Sequence, residues 1–298
     1  MPDNQYTFDD PVTRYPHIHP PEDEAPEPGR DSELDPPADH GEDSYVGSGR
    51  LTGRRAIVTG GDSGIGAAAA IAFAREGADV ALVHLPSEDE DARAVARLIR
   101  DAGRNAVCIP GDLAERSFSD EVVRRTVQEL GGVDILVNNA GKQIYCKDLA
   151  ELPDDQFDLT MKTNVYAMFW LTKAVLPHLV PGATIINTTS VQAYLPGDVL
   201  VDYATTKAAI NAFTKALAQQ LAPKGIRVNA VAPGPIWTPL QPSAGQPPEK
   251  LPDFGAQTAL GRAGQPAELA PAYVFLASPE SSYVIGETLA VTGGMPTP

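Results

Sequence analysis

A tyrosine and a lysine four positions apart, Tyr203 and Lys207 in the stretch YATTK, have the types and spacing needed for acid–base chemistry. On a helix, residues i and i+4 share one face, so the two side chains would lie close together. An ordinary tyrosine has a pKa of about 10, and we expect a cationic Lys207 to lower the pKa of Tyr203 by favouring the tyrosinate. Taken alone, such a pair is more often two ordinary surface side chains.

Two polar residues upstream change this interpretation. Ser190 ends an apolar run thirteen positions before Tyr203, where its hydroxyl would hold a substrate oxygen on which charge develops. Asn164 lies in the helical stretch MKTNVYA. A mid-helix asparagine by itself usually makes only local hydrogen bonds. Together with the three other residues, Asn164 is predicted to be the fourth member of a catalytic set.

The stretch TGGDSGIG, residues 59–66, predicts a phosphate-binding loop that closes a β-branched run and opens a helical one. Gly60 would permit the tight turn, Gly64 would let the backbone approach a phosphate, and Gly66 would let the helix pack closely. The helix N-terminus adds N–H donors and the positive end of its dipole. The predicted contacts in this loop also include three non-glycine residues, Asp62, Ser63 and Ile65.

Alternating strands and helices would position these residues. The predicted strands are 54–60, 78–85, 105–112, 133–141, 184–190, 226–234 and 287–294, and the predicted helices are 67–77, 87–102, 117–130, 155–179, 202–222 and 266–277. Apolar strands without polar alternation predict a parallel sheet covered on both faces. Right-handed crossovers then give an α/β, Rossmann-type doubly wound fold with seven strands in the order 3-2-1-4-5-6-7. Its ligand would lie at the carboxyl ends of the strands.

The first fifty residues form a leader of different composition, with thirteen Asp or Glu, three Arg and nine Pro. Such a segment cannot bury enough apolar surface to fold alone, so we predict either a disordered chain or an extended strap over a neighbouring surface. Residues 51–298 would form a single domain. The formal charge of −16 excludes nucleic acid and anionic membranes as main partners.

Cysteine content and sequence patterns indicate the compartment. The only cysteines, Cys108 and Cys146, lie in or beside apolar runs, which does not indicate a disulfide framework. No secretory signal or membrane span is evident, and no residue set suggests a metal site. We therefore expect a cytoplasmic protein without a membrane or metal partner.

Four motifs occur in order: TGGDSGIG at 59–66, NNAG at 138–141, a serine at a strand end, and YATTK at 203–207. Together they resemble the short-chain dehydrogenase/reductase family over roughly residues 50–298. Within it, the chain is most similar to the bacterial subgroup with TGGDSGIG after an acidic or Pro-rich leader, which includes general-stress-protein and aldehyde-reductase-like members. The resemblance implies hydride transfer between a nicotinamide and a carbonyl or alcohol carbon.

The resemblance also implies a role for each catalytic candidate. Tyr203 would be the general acid in reduction and the base in oxidation, and Ser190 would position the oxygen. Lys207 would tune Tyr203 and hold the nicotinamide ribose, and Asn164 would bend its helix and complete a proton relay. Further cofactor contacts are implied after strands two, three, four and six, at Leu85, Asp112, Leu113, Asn139, Ala140, Gly141, Pro233, Gly234, Ile236 and Thr238.

The choice between NAD(H) and NADP(H) stays open in the sequence. NADP-preferring relatives carry a basic residue where this chain has Ser63 and Pro86, whereas NAD-preferring relatives carry Asp where it has Leu85. Asp62 and the acidic run SEDED at 87–91 would repel a 2′-phosphate, which favours NAD. Three nearby arginines would reverse this preference if they reached the site: Arg54, Arg55 and Arg93.

The Pro-rich segment 235–262 is predicted to be a mobile lid that sets substrate specificity. Trp237, Leu240 and Phe254 would form an apolar wall of the site, with Gln143, Gln192 and Tyr194 opposite it. A small or medium aldehyde, ketone or sugar-like polyol would fit.

Two alternatives to this activity remain. A 3-oxoacyl-carrier-protein reductase is the nearest rival, although the acidic surface and the turn PHLVPGAT lack the basic patch that an acidic carrier needs. A catalytically idle dinucleotide-binding stress protein is the other. The family resemblance also implies a homotetramer, through the long helices after strands four and five and the last strand.

Overall fold

The computed structural model describes residues 4–20 and 25–297. Its centre is one parallel sheet whose strand order, β3-β2-β1-β4-β5-β6-β7, confirms the predicted order. The strands are β1 (Arg55–Thr59), β2 (Asp79–His84), β3 (Ala106–Pro110), β4 (Ile135–Asn138), β5 (Thr184–Thr188), β6 (Arg227–Pro233) and β7 (Thr288–Val291). Each is a few residues shorter than its apolar run, because those runs continue into the loops at the carboxyl edge.

Seven α-helices of the described residues cover the two faces of the sheet. They are α1 (Gly64–Arg75), α2 (Asp89–Asp101), α3 (Arg116–Leu130), α4 (Asp154–Met161), α5 (Ala167–Val175), α6 (Val201–Leu221) and α7 (Pro266–Ala277). Buried side chains of α1, α2 and α7 form one apolar cluster with the sheet. Those of α3, α5 and α6 form a second cluster on the opposite face. This arrangement accounts for strands that are apolar on both sides.

The long helix predicted over 155–179 is not continuous, and it is interrupted at Asn164, where the family resemblance implied a bend. Helices α4 and α5 are separated by a π-helical turn, Lys162–Tyr166, with Asn164 inside it. The Asn164 side chain is 2 % exposed and bonds to Lys142 and Thr206 instead of to its own helix. A π-turn with an inward polar residue is a common device at functional sites.

The leader lies along the domain over much of its length. Its residues Ile18, Leu34 and Ala38 form an apolar cluster with Trp237 and two neighbours from the segment after β6. The Trp237 indole Nε1 donates a 2.7 Å hydrogen bond to the carbonyl of Pro36. The leader as predicted, residues 1–50, also contains residues 1–3 and 21–24, which lie outside the described residues.

The C-terminal end of the leader is fixed by one buried carboxylate. Glu76, at the end of α1, is fully buried and accepts hydrogen bonds from the Tyr45 hydroxyl at 2.8 Å and from the Ser48 backbone N–H at 2.9 Å. Arg50 adds its Nη2 at 2.6 Å, as an ion pair. These charge-assisted bonds join the leader to the first helix of the domain.

The described residues contain neither a candidate membrane-spanning helix nor a candidate metal-binding group. Over residues 4–20 and 25–297, no helix has both the length and the apolar composition that a membrane span requires. The same residues contain no group of three or more His, Cys, Asp or Glu arranged to hold a metal ion.

Candidate active site

A cleft of about 810 Å³ opens at the carboxyl edge of the sheet, where a doubly wound fold binds its ligand. Most residues predicted for the cofactor, the substrate and catalysis line it. They are Gly60, Asp62, Ser63, Gly64, Ile65, Leu85, Asp112, Leu113, Asn139, Ala140, Gly141, Gln143, Ser190, Gln192, Tyr203, Lys207, Pro233, Gly234, Ile236 and Thr238. The structure therefore brings residues from distant parts of the sequence to one surface.

The glycine loop between β1 and α1 has the shape that a phosphate cradle requires. Gly60 and Gly64 have φ angles of +60° and +48°, a region that L side chains rarely adopt. A Cβ on Gly66 would lie 1.8 Å from the Gly60 carbonyl oxygen, so any side chain there would push α1 away from the loop. Gly66 itself does not line the cleft, and its role is close packing. Gly64 and Ile65, the first two residues of α1, line the cleft, so the N-terminus of this helix lies at the cleft wall, where an anion-binding helix would have it.

Asn139 holds this loop in place. Its backbone N–H donates to the Thr59 hydroxyl at 2.9 Å, and its side-chain Nδ2 donates to the Thr59 carbonyl at 3.1 Å. The end of β4 is thereby tied to the end of β1. The NNAG motif thus shapes the cleft wall as well as lining it.

Two carboxylates, a buried one after β1 and a half-buried one after β2, line one end of the cleft. Asp62 is 3 % exposed, and its Oδ1 has no hydrogen-bond partner among the described residues. Burial raises the pKa of Asp62 to about 6. Burial and the neighbouring charge of Asp62 raise the pKa of Glu88 to about 7, although one Glu88 oxygen accepts from the Leu85 N–H at 2.9 Å. An orphaned acceptor facing a cleft fits a ribose hydroxyl donor.

Tyr203 and Lys207 meet one turn apart on α6, as predicted. The Lys207 ammonium lies 5.3 Å from the centre of the Tyr203 ring and donates a 2.9 Å hydrogen bond to the Thr188 carbonyl. Burial lowers the pKa of Lys207 to about 8. Burial also raises the pKa of Tyr203 to about 12, against a hydrogen bond with Ser190 that lowers it.

The expected lowering of the Tyr203 pKa by Lys207 is therefore not found. The Lys207 ammonium donates to the Thr188 carbonyl, and the cost of placing a phenolate in a buried site outweighs the attraction between the phenolate and this ammonium. The raised pKa favours the neutral phenol of Tyr203, whereas burial brings the pKa of Lys207 closer to neutrality.

Ser190 and Asn164 occupy different positions relative to the cleft. Ser190 follows β5, lines the cleft, and its hydroxyl accepts from the Gln192 N–H at 3.1 Å. Asn164 lies behind the wall. Its Oδ1 accepts from the Lys142 N–H at 2.7 Å, and its Nδ2 donates to the Lys142 carbonyl at 2.9 Å and to the Thr206 hydroxyl at 3.0 Å. Asn164 thus joins the segment after β4 to the catalytic helix.

Two predicted substrate residues do not line the cleft. Trp237 is fully buried under the leader and packs on Phe254, with ring centres 6.2 Å apart. The prediction that Trp237 forms a substrate wall is wrong, because its polar edge is satisfied by Pro36 and its faces are covered. Tyr194 is half-buried and lies outside the cleft lining. The other two residues of the predicted apolar wall, Leu240 and Phe254, do line the cleft.

The arginines considered for a 2′-phosphate also lie elsewhere. Arg54 and Arg55 both pair with Asp134, with closest N–O distances of 3.7 and 2.7 Å, and Asp134 precedes β4 at the opposite edge of the sheet. Arg93 is exposed and pairs with Asp89 at 2.6 Å. In the described parts of the chain, no arginine lines the cleft.

Some lining residues had no clear signal in the sequence. Glu27, Pro28 and Gly29 of the leader line the cleft, as does Lys142, which forms an ion pair with Glu27. Glu88 belongs to the acidic run at 87–91, so composition pointed to its neighbourhood but not to its burial. No local pattern could join Glu27 to a lysine 115 positions away.

Comparison with known proteins identifies the family. A family model described as enoyl-(acyl carrier protein) reductase matches residues 60–296. The chain belongs to the short-chain dehydrogenase/reductase family. Among curated members, the uncharacterized oxidoreductase YghA of Escherichia coli (strain K12) is 55 % identical over 285 residues, which is 96 % of this chain and 97 % of that protein. Glucose and ribitol dehydrogenase of Daucus carota is 42 % identical over 280 residues, or 92 % and 96 % of the two chains.

A solved structure of this dehydrogenase/reductase family supports the same assignment. A short-chain dehydrogenase from Burkholderia cenocepacia J2315, in complex with NADP, superposes with a TM-score of 0.77 at 37 % identity. The match covers 82 % of this chain and 98 % of that one. The protein is thus an NAD(P)-dependent oxidoreductase that transfers hydride between a nicotinamide and a carbonyl or alcohol substrate.

Proposed function

We propose that the protein reduces small carbonyl compounds and oxidises the matching alcohols, with Tyr203 as the proton donor and acceptor. The observation that carries this proposal is the meeting of Tyr203, Lys207 and Ser190 in the cleft that also contains the glycine loop. When bound, the nicotinamide supplies the hydride donor or acceptor. The chain then has to position the substrate oxygen and move one proton.

Each catalytic residue has one task in this proposal. The Tyr203 hydroxyl protonates the substrate oxygen during reduction, and the Ser190 hydroxyl holds that oxygen as charge develops on it. Lys207 replaces the proton that Tyr203 gives to the substrate. Burial lowers the pKa of Lys207 to about 8, which is closer to neutrality than the pKa of Tyr203. Asn164 is a positioning residue, because its side chain bonds to both the N–H and the carbonyl of Lys142.

NAD(H) is proposed as the preferred cofactor on the basis of Asp62 and Glu88. Both carboxyls lie where the loops after β1 and β2 meet, which is the ribose end of a dinucleotide site. The free Oδ1 of Asp62 would accept a 2′-hydroxyl, whereas a 2′-phosphate would find two acids and no arginine. The relative from Burkholderia cenocepacia was solved with NADP, so this preference has to be measured for this chain.

A small, hydroxylated substrate is proposed on the basis of the polar groups around the cleft. Gln143, Gln192 and Asp198 line it beside the catalytic residues. Hydrogen-bonding side chains of this kind suit a sugar-like polyol or its aldehyde better than a long acyl chain. The name of the carrot relative, glucose and ribitol dehydrogenase, agrees with this choice.

A homotetramer is also proposed. Helices α4 and α5 and the π-turn between them expose large apolar side chains for which the isolated chain gives no packing reason: Phe157, Tyr166 and Phe169 are 39 %, 43 % and 46 % exposed. Light scattering after size-exclusion chromatography tests this proposal, and a monomeric mass would contradict it.

A substrate panel tests the proposed function. NADH and NADPH oxidation are followed by absorbance with aldehydes, ketones, sugars and an acyl thioester. We expect turnover with small hydroxylated carbonyls and a higher kcat/KM for NADH than for NADPH. Preference for the thioester would favour the acyl-carrier reductase. Tight NADH binding without turnover of any compound would favour an idle dinucleotide-binding protein.

A further inference from the structure

The leader reaches the cofactor cleft itself. Glu27, Pro28 and Gly29 are among its lining residues, although the domain that forms the sheet starts more than twenty residues later. The Glu27 carboxylate is paired with the ammonium of Lys142, which also lines the cleft. The leader is thus in contact with the side of the cleft that is formed by the segment after β4.

The part of the leader around Glu27 also contacts two other parts of the domain, the segment after β6 and helix α2. The Ala25 N–H donates to the Pro242 carbonyl at 2.9 Å, in the segment after β6. A Cβ on Gly29 would lie 2.5 Å from the Pro239 carbonyl oxygen, so only a glycine allows this approach. The Asp31 N–H donates to the buried carboxylate of Asp91 in α2 at 2.8 Å. Residues 25–31 therefore bridge the loops after β4 and β6 and the helix after β2.

The segment after β6 also packs against the phosphate-binding loop. A Cβ on Gly64 would lie 2.9 Å from Thr238 Cγ2, so Thr238 sits directly over the start of α1. The leader covers the outer side of this segment, because the carbonyl of Pro36 accepts a hydrogen bond from the indole of Trp237, the residue before Thr238. A dinucleotide lying between the loops after β1 and β4 would be enclosed by these layers.

We propose that Glu27–Gly29 form the outer wall of the dinucleotide site, so that the cofactor enters and leaves only when this wall is displaced. The Glu27–Lys142 ion pair holds the wall closed. This proposal rests on the proposed dinucleotide-dependent function and adds leader residues to its binding site. Glu27 is a positioning residue, because it acts through Lys142 and not on the reacting atoms.

Glu27→Gln removes the ion pair while keeping the side-chain shape. Glu33→Gln is the matched control, because Glu33 is an exposed leader carboxylate, pairs with Arg30 at 3.6 Å, and does not line the cleft. The readout is the rate of NADH release in stopped-flow fluorescence, with the equilibrium Kd and kcat measured on the same samples. We expect release from Glu27→Gln to be about two- to fivefold faster, the range for one partly exposed ion pair. Glu33→Gln should match the wild type.

A second variant makes the test independent of the ion pair. Gly29→Ala would press a methyl group against the Pro239 carbonyl and move the wall outward, with Ser32→Ala as the exposed control. Faster NADH release in both cleft variants, with both control variants at the wild-type rate, supports the wall. Wild-type release rates in both variants overturn it.

The same data separate this proposal from the one on which it rests. If the wild-type protein binds neither NADH nor NADPH, the proposed function and the wall both fail. If it binds and turns over NADH but release is unaffected by Glu27→Gln and Gly29→Ala, only the wall fails.

Discussion

Glu76 gives a prediction whose magnitude follows from the structure. This fully buried carboxylate joins α1 to the end of the leader. Burial opposes its ionisation, but hydrogen bonds from Arg50, Ser48 and Tyr45 outweigh burial and lower its pKa from 4.5 to about 2. At about 1.4 kcal/mol per pKa unit, this shift contributes about 3 kcal/mol to the free energy of unfolding near neutral pH.

The sign of the effect follows from proton linkage. A carboxylate whose pKa is lowered on folding stabilises the native state above its unfolded pKa, and the contribution is lost as the pH falls through the folded pKa. For Glu76 the loss therefore starts near pH 4.5, is steepest at about pH 3 and is nearly complete at about pH 2. Between about pH 7 and pH 3 the contribution should fall by about 2 kcal/mol.

Urea unfolding of the wild type and Glu76→Gln, followed by tryptophan fluorescence, measures this contribution. The difference in unfolding free energy between the two proteins should shrink by about 2 kcal/mol from about pH 7 to pH 3, because the variant lacks the titrating group. Glu121→Gln, which removes an exposed carboxylate paired with Arg124, should show no comparable pH dependence. A wild-type advantage over Glu76→Gln that is the same at both pH values would refute the reasoning.

Three further predictions concern the cleft. Because burial lowers the pKa of Lys207 to about 8, kcat/KM for carbonyl reduction should fall above that pH as the ammonium is lost; a flat pH–rate profile from about pH 7 to 10 would contradict this. Asp62→Asn should improve NADP⁺ binding relative to NAD⁺ by about tenfold at about pH 8. The gain should be smaller at about pH 6, because burial raises the pKa of the wild-type Asp62 carboxyl and so favours its neutral form as the pH falls; fluorescence titrations that show equal gains at both pH values would count against this prediction. Asn164→Ala removes three buried hydrogen bonds and should cost about 2–4 kcal/mol of stability together with a fall in kcat; urea unfolding and steady-state rates check both, and unchanged values would refute the positioning role.

The sheet was predictable because its signal is local. Each buried parallel strand is a short apolar run, and the rule for right-handed crossovers leaves few ways to connect such runs. The residues at the carboxyl ends of those runs then had to share one edge of the sheet. Gly60, Asn139 and Ser190 meet in the cleft for this reason.

The rest depended on contacts between distant residues. The helix break at Asn164 comes from hydrogen bonds to Lys142, twenty-two positions away, and no helix propensity indicates it. Trp237 was predicted to face the substrate because it is an aromatic residue in a loop, yet its burial depends on Pro36 in the leader. The pKa of Tyr203 was predicted from the charges of Lys207 and a bound nicotinamide, whereas burial of the phenol decides the direction of the shift in the chain itself.

The central claim is that Tyr203 transfers the proton in a dinucleotide-dependent carbonyl reduction. The most direct measurement is NADH oxidation by the wild type and Tyr203→Phe with the best substrate of the panel, with NADH affinity measured in parallel. Tyr283→Phe, at a fully exposed phenol, is the control. We predict a loss of about 10²–10⁴-fold in kcat for Tyr203→Phe, with NADH binding and folding retained. A Tyr203→Phe enzyme that keeps more than about a tenth of wild-type turnover would contradict the account.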